Sequence, residues 1–532
     1  MSTGVTNAVK NNALYAAIDL GSNSFHMLVV HEVAGASRTL AKIKRKVRLA
    51  AGLQEDGNLD DAAMQRGWDC LQLFAEQLQD IPANHIRIVG TATLRIARNI
   101  NVFLEQAQVI LGHPIRVISG EEEAALIYEG VAWTSSGTGR RLAIDIGGAS
   151  TELVIGEATS ALLLNSLDMG CVTWLRRYFA DGLLSQSNFE RAIAAARQVL
   201  TPVAGAYLKL GWQGCIGASG TIQAIQEIMI SQGADERITL AKLQALKQDA
   251  IACQRLDTLN LPGLQADRVS VFPSGLAILI ALFDMLAIDD MVLAGGALRE
   301  GLMYGMLGQR QDCDARERSA DSLISRYQLD RTQAERVRNT ALNALSQLIN
   351  QQKAVQKKAE LRTVDQTLEL ELELDSAMLG WAALLYELGL CIEYKRAPEH
   401  AAYIISHIDL PGFTAAQKQL LAALLLNQRD DFQLAALELQ SAIDTEQAIL
   451  LARLLRISII LCLRRTRGTV PEFQISAQGS QLTLTLPANW SQTHHLRASE
   501  LQQEAQRQTE LGWPLVIEEM AKSEGAKLNL RD

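Results

Sequence analysis

"AAIDLGSNSFHMLVV", residues 16–30, runs from an apolar segment into an aspartate, turns through Gly-Ser-Asn-Ser and leaves in a second apolar segment. An ordinary hairpin turn is satisfied by a glycine beside an asparagine or aspartate and needs no pair of hydroxyls as well. The same order returns as "LAIDIGGASTELVIG", residues 142–156, where Ala17-Ile18-Asp19-Leu20-Gly21 is answered by Ala143-Ile144-Asp145-Ile146-Gly147. Each copy reads as a β-hairpin with a polar tip. Two such tips in one register point to a duplicated unit, and so to two similar lobes facing each other.

The tips carry a chemistry. Gly21 and the pair Gly147-Gly148 let backbone N–H groups crowd toward a ligand, while Ser22, Asn23, Ser24, Ser150 and Thr151 add side-chain donors around them. Such a nest suits phosphate oxygens. Asp19 and Asp145 stand where a carboxylate can hold a divalent cation. One tip on each lobe would grip a phosphate chain from both sides.

The bulk numbers narrow the partners. A chain of 532 residues that is 48% hydrophobic can bury several cores, so three or four domains are expected. Its net charge of −9 gives no global field for duplex nucleic acid or an anionic membrane, and any polyanion must meet a local basic site. The seven cysteines are scattered without a CxxC pair, which fits reduced thiols in the cytoplasm. The opening "MSTGVTNAVKNN" lacks the apolar core of a signal peptide. "GLAILIALFDMLAI" and "ISIILCL" fall short of the roughly 20 residues a spanning helix needs and read as buried helices.

With "GTATLR" (90–95), "SGEEEAALIYEG" (119–130), "MGCVTWL" (169–175), "GASGT" (217–221) and "LAGGALREG" (293–301), the two tips resemble the exopolyphosphatase and guanosine pentaphosphatase family. The resemblance runs from about residue 13 to the end of the chain. Ala149 in the "GGAST" tip and "HAAYIISHIDLPGFTAAQKQLLAALLLNQ" (400–428) favour the pentaphosphatase branch. The family implies an α/β fold: two actin-like ATPase (ribonuclease H-like) lobes, here 13–128 and 129–308, enclosing a cleft. An all-helical HD-like domain (309–468) and a small α/β domain (469–532) would follow. It implies a Mg²⁺-dependent hydrolase, a cytoplasmic homodimer, that converts guanosine pentaphosphate to guanosine tetraphosphate in the stringent response, with inorganic polyphosphate as a second substrate. The alternatives are a processive exopolyphosphatase and an alarmone-binding regulator whose hydrolysis is vestigial.

Hydrolysing a terminal phosphate needs a water in line with the P–O bond, an acceptor for its proton and positive charge on the phosphoryl oxygens. "SGEEE" offers three carboxylates. Ser119 and Glu122 have capping-box spacing, which makes Glu122 structural. Glu121, near the positive end of the helix, needs no chemical role. Glu123 is left as candidate base, and the family's motif places its catalytic glutamate there too. Arg95, where a β-like segment gives way to a polar loop, has the planar fork for phosphate, and the resemblance implies that role. By the same resemblance Asp145 and Glu152, with Asp19 as counterpart, are the Mg²⁺ ligands, direct or through water, and phosphate falls to Gly21, Ser22, Asn23, Ser24, Gly147, Gly148, Ala149, Ser150 and Thr151. Cys171 matches a family cysteine and reads as an inert thiol, and Gly295 and Gly296 as architectural.

"AKIKRKVRLA", 41–50, concentrates basic residues, and its alternation puts Lys42, Lys44, Lys46 and Arg48 on one strand face, where they could hold the far phosphates. In the helical region, Tyr386 precedes Glu387 where an active HD site would want a histidine. His400 and His407 are about 10.5 Å apart along a helix, too far for one ion. "TLELELELD", 367–375, alternates like an edge strand inside a helical pattern, and "FQISAQGSQLTLTLP" reads as a hairpin.

Overall fold

The computed structural model describes residues 13–33, 36–137, 139–307, 314–358, 366–466 and 468–520. In it the first quoted stretch is a hairpin: β1 (Ala13–Leu20) pairs antiparallel with β2 (Ser24–Val33), which pairs with β3 (Ala36–Lys46). On the far side of β1, β4 (Ile86–Gly90) and β5 (Arg116–Val117) add in parallel, giving the order β3-β2-β1-β4-β5. The second stretch builds the same object. β6 (Arg140–Ile146), β7 (Thr151–Glu157) and β8 (Ser160–Leu167) are antiparallel, and β9 (Gly214–Gly217) and β10 (Val292–Leu293) are parallel additions. The order β8-β7-β6-β9-β10 repeats the first sheet strand for strand. Duplication read from two tips is thus duplication of two whole sheets, the doubled ribonuclease H-like plan of the actin-like architecture.

Helices cover these sheets. The first half carries α1 (Asp61–Leu78), α2 (Ala92–Ile96), α3 (Ile100–Leu111) and α4 (Gly120–Thr134). The second carries α5 (Cys171–Tyr178), α6 (Gln186–Leu210), α7 (Gly220–Ser231), α8 (Leu240–Ala252), α9 (Phe272–Leu286) and α10 (Leu298–Leu307). Strand residues alternate between faces, so Ile18 and Leu20 enter one core with α1 and α3, while Tyr15 and Ala17 enter another with α4 and α10. In the second sheet Ile144 and Ile146 pack with α6 and α9, and Ala143 joins the core of α4 and α10. Asp19 shares the parity of Ala17, and Asp145 that of Ala143. Both carboxylates therefore emerge on the face turned to α4 and α10.

Those two helices meet backbone to backbone. A Cβ on Gly130 would lie 1.9 Å from the Ala297 carbonyl oxygen, and one on Gly301 would lie 1.9 Å from that of Leu126. Neither obstacle is a flexible side chain, so the helices must separate if either glycine is lost. Gly130→Val is expected to cost at least about 3 kcal/mol, read as a lower midpoint in urea unfolding. An unchanged midpoint would show that the contact between α4 and α10 is loose.

Residues 320–410 and 415 onward form a second compact unit, while 411–414 belong with the first. Its helices are α11 (Ala315–Arg326, entering from the first unit), α12 (Arg331–Lys358), α13 (Gln366–Leu385), α14 (Ala397–His407), α15 (Ala415–Leu426), α16 (Leu434–Leu439) and α17 (Thr445–Leu461). The terminal piece is a sheet of β11 (Gln474–Gln478), β12 (Gln481–Leu486) and β13 (Leu515–Glu519) with α18 (Trp490–Thr493) and α19 (His495–Glu510). "TLELELELD" corrects the edge-strand reading, since it lies in α13. Leu and Glu are strong helix formers and the stretch has no β-branched residue after its first threonine, so local propensity overrides a two-residue alternation. Segments 269–286 and 372–391 are long and apolar enough to cross a membrane, but 78% and 67% of them are buried inside the fold.

Candidate active site

Cross-strand register sets out the site. Residues opposite one another on adjacent strands project to the same face. In the first sheet Asp19 faces His26 and His26 faces Lys44; in the second, Asp145 faces Glu152 and Glu152 faces Ser166. The two rows occupy equivalent places. One presents carboxylate, imidazole and ammonium, and the other presents carboxylate, carboxylate and hydroxyl.

The tips close on each other. A Cβ on Gly148 would lie 3.0 Å from Ser22 Cβ and 3.6 Å from Asn23 N, so Asp19 and Asp145 open into one crevice. The carbonyls of Ser22 and Asn23 accept from Ala50 and Arg48 at 2.9 Å each. Those of Gly147 and Gly148 accept from Cys171 and Val172, at the start of α5, at 2.9 and 2.8 Å. With the carbonyls engaged, the N–H groups of Gly148, Ala149 and Ser150 have no backbone acceptor among the described residues. Ser22 Oγ accepts from Thr93 Oγ1 at 2.8 Å, and Ser22 and Ser24 are both buried. Thr151 donates its hydroxyl to Met169 O at 2.6 Å, so this side chain braces the loop. Close packing at Gly21, where a Cβ would sit 2.8 Å from Ser24 O, keeps the first turn tight.

Glu123 is delivered by α4. Ser119 caps the helix and forms a capping box with Glu122, whose carboxylate takes the Ser119 N–H at 3.0 Å. Glu122 stays outside and Glu123 turns inward, buried. Its carboxylate accepts from Arg95 Nη1 at 3.2 Å, and that nitrogen also donates to Ile118 O at 2.8 Å. Arg95 sits in α2 and not in a polar loop, because the chain coils immediately after β4. A helical arginine is held more firmly than one on a loop, which suits a group that must orient both base and substrate.

Four carboxylates share this space, and each is uneasy there. Burial pushes Asp19 up to about 7, with the Glu123 charge adding and Arg299 opposing. Asp145 rises well above the ordinary carboxylate range through burial, then through Glu123 and Asp19. Glu152 rises through burial, Glu123 and Asp145, against hydrogen bonds from Ser150 and Ser166, the latter 2.8 Å long. Glu123 rises through burial, and Arg95 pulls it back toward the ionised form. Among the described residues Asp19 Oδ1 is buried without a hydrogen-bond partner. Crowded carboxylates with an orphaned oxygen fit a hard divalent cation such as Mg²⁺. Among the described residues no three His, Cys, Asp or Glu side chains enclose an ion by themselves, so water would complete its shell.

Residues 28–310 match the model of the Ppx/GppA phosphatase family, and residues 315–505 match that of Ppx/GppA phosphatase domain III. The chain belongs to the Ppx/GppA phosphatase family. It is 63% identical over 504 residues to the guanosine-5'-triphosphate,3'-diphosphate pyrophosphatase of Aeromonas salmonicida (strain A449), covering 95% of this chain and 98% of that one. To the protein of the same name from Vibrio vulnificus (strain YJ016) it is 54% identical over 508 residues, covering 96% and 99%. The crystal structure of an exopolyphosphatase from Cytophaga hutchinsonii ATCC 33406 superposes with a TM-score of 0.51 at 24% identity, over 56% of this chain and all of that one, a likeness of fold.

Several residues of this Ppx/GppA site escaped the sequence. Arg299, on α10, acts on Asp19, Asp145 and His26. His26 is held neutral, pushed down to about 3 by burial and by Arg299, Lys44 and Arg268. Arg268 fills space that Gly220 leaves, since a Cβ there would lie 1.9 Å from its guanidinium. The strand pairing found from the first tip leads to His26; Arg299 stands inside "LAGGALREG", whose glycines alone drew a reading, and no local motif announces Arg268. Of the basic run, Lys44 and Lys46 reach Asp267, while Arg48 lies beyond the end of β3 at φ 53° and leaves the expected face. Two motif residues read as architectural or inert are packed as such. Gly296 packs against Glu300 and Thr134, and Cys171 is a buried thiol pushed up to about 11 by that burial.

Among the described residues the second unit shows no competing metal centre. Glu387 is buried and paired with Arg465, and it accepts from Tyr386 Oη at 3.1 Å. A fixed guanidinium thus meets the carboxylate that an HD metal would need. His407 bonds the Tyr403 carbonyl and stacks on its ring, whereas His400 faces Glu393 at 3.5 Å.

Proposed function

We propose that the chain hydrolyses the 5′-terminal phosphate of guanosine pentaphosphate, giving guanosine tetraphosphate and inorganic phosphate. The observation that carries this is the buried Glu123, bonded to Arg95 at 3.2 Å, beside two phosphate-type tips that touch. The names of the relatives from Aeromonas and Vibrio support the same substrate.

The tips receive the terminal phosphate on their N–H groups and hydroxyls, and Arg95 holds one of its oxygens. Glu123 orients a water and takes its proton as the water oxygen bonds the terminal phosphorus. The bond to the bridging oxygen breaks, and its electron pair leaves on the diphosphate end of the product. Mg²⁺, held by Asp145, Glu152 and Asp19 in part through water, would neutralise charge on the phosphate oxygens. Burial makes Glu123 a stronger base than a surface glutamate, and Arg95 pulls it back toward the ionised form. The reading extends to a cytoplasmic homodimer. The six described cysteines are free thiols, as that compartment requires, and sedimentation of the purified chain tests the assembly.

Phosphate release from guanosine pentaphosphate is expected with Mg²⁺, at a higher kcat/KM than from long-chain polyphosphate, and is expected to stop with a chelator. Release from polyphosphate alone would make the chain a processive exopolyphosphatase. Tight binding of guanosine pentaphosphate with no release would make it a regulator.

A further inference from the structure

Lys44 ends the row that starts at Asp19, and an anion already stands in front of it. Asp267, just before the turn that leads into α9, reaches from the second lobe to β3 of the first. Lys44 Nζ lies 3.4 Å from Asp267 Oδ2 and Lys46 Nζ 3.9 Å from it. Lys46 Nζ also donates to the Asp267 backbone oxygen at 2.7 Å. Arg268 Nε stands 4.0 Å from the same carboxylate oxygen. Among the described residues Asp267 is the one carboxylate within ion-pair distance of Lys44 or Lys46.

Charge at this end of the cleft is unbalanced. Lys44, Lys46 and Arg268 gather around one carboxylate, and Arg299 and neutral His26 continue the set inward. A half-buried cationic row beside a phosphate site is where an anionic tail would extend. Adjacent strands lie about 4.8 Å apart, so Lys44, two strands from Asp19, is roughly 10 Å along that row. Only an anion longer than a single phosphate spans both ends.

We propose that Asp267 is an internal competitor anion, which a long anionic substrate must displace from Lys44 and which thereby sets how tightly the cleft takes such a substrate. The proposal rests on the cleft's being the guanosine pentaphosphate site. It adds that affinity there is held down from the opposite lobe by a carboxylate that takes no part in the chemistry. Asp267 is partly exposed, and asparagine keeps its shape, so removal of its charge leaves the fold in place.

The test is titration calorimetry with guanosine tetraphosphate as the long anion and inorganic phosphate as the short one, on the unaltered full-length chain, Asp267→Asn, Lys44→Met and the double variant. Asp267→Asn is expected to tighten guanosine tetraphosphate by about threefold to fivefold, the range of a partly exposed ion pair, and to leave inorganic phosphate unchanged. In the Lys44→Met background the gain should vanish, as coupled partners require. Weaker or unchanged tetraphosphate binding would overturn the proposal, and so would an equal gain with Lys44 absent or for inorganic phosphate. Because binding is read without turnover, failure to hydrolyse guanosine pentaphosphate would sink the parent reading alone, and failure of the affinity shift would sink the competitor alone.

Discussion

Glu123→Gln is expected to reduce turnover of guanosine pentaphosphate by 10²-fold to 10⁴-fold, the usual contribution of a positioned general base. Its affinity for guanosine tetraphosphate should stay within about threefold, since the reason is local. Glutamine has the shape of glutamate, and its carbonyl oxygen can still accept the Arg95 bond seen at 3.2 Å. What it loses is the ability to take a proton. The substitution also removes the charge that raises Asp19, Asp145 and Glu152, so the crevice becomes less strained. A large fall in kcat with retained binding thus separates loss of the base from collapse of the site. Single-turnover phosphate release, with calorimetry on the same preparation, measures both. Turnover within tenfold of the unaltered chain would move the base to another group.

The sequence carried this site as far as local patterns reach. A hairpin tip is local, so the two aspartates, their turns and the duplication were legible from 15-residue stretches. Capping-box spacing separated Glu122 from Glu123 because it too spans a single helical turn. Once the first hairpin is set, its pairing leads from Asp19 to His26 and on to Lys44, a step that needs register and not merely motif. Arg299, Arg268 and Asp267 lie more than two hundred residues from Asp19 in the chain. Only the return of α9 and α10 to the cleft brings them in. In α13 the alternation of Leu and Glu mimicked a strand because period alone does not weigh propensity. Arg95 follows an apolar strand as its stretch predicts, while α2, at five residues, is too short to show a helical period.

Asp145→Asn should move stability and activity in opposite directions. Asp145 is buried beside the charges of Glu123 and Asp19, which push its carboxyl well above the ordinary range, so its ionised form is disfavoured in the folded chain. Asparagine fills the same space without the charge. In the absence of divalent cation the variant is expected to unfold on the order of 3 °C higher than the unaltered chain. With Mg²⁺ the order should reverse or close. The unaltered chain gains stability by binding the ion in the folded state only, while the variant has lost a ligand and gains less. Phosphate release from guanosine pentaphosphate should fall by at least about 10²-fold. Thermal unfolding of both chains across a Mg²⁺ series, with Asp61→Asn on the exposed start of α1 as control, reads the effect without relying on turnover. A variant that melts lower without cation, or that gains as much from Mg²⁺ as its parent, would mean that Asp145 is an ordinary turn carboxylate. A higher melting point lost on adding Mg²⁺ would show that the crowding of acids in the crevice is maintained against stability because the cation and its phosphate require it.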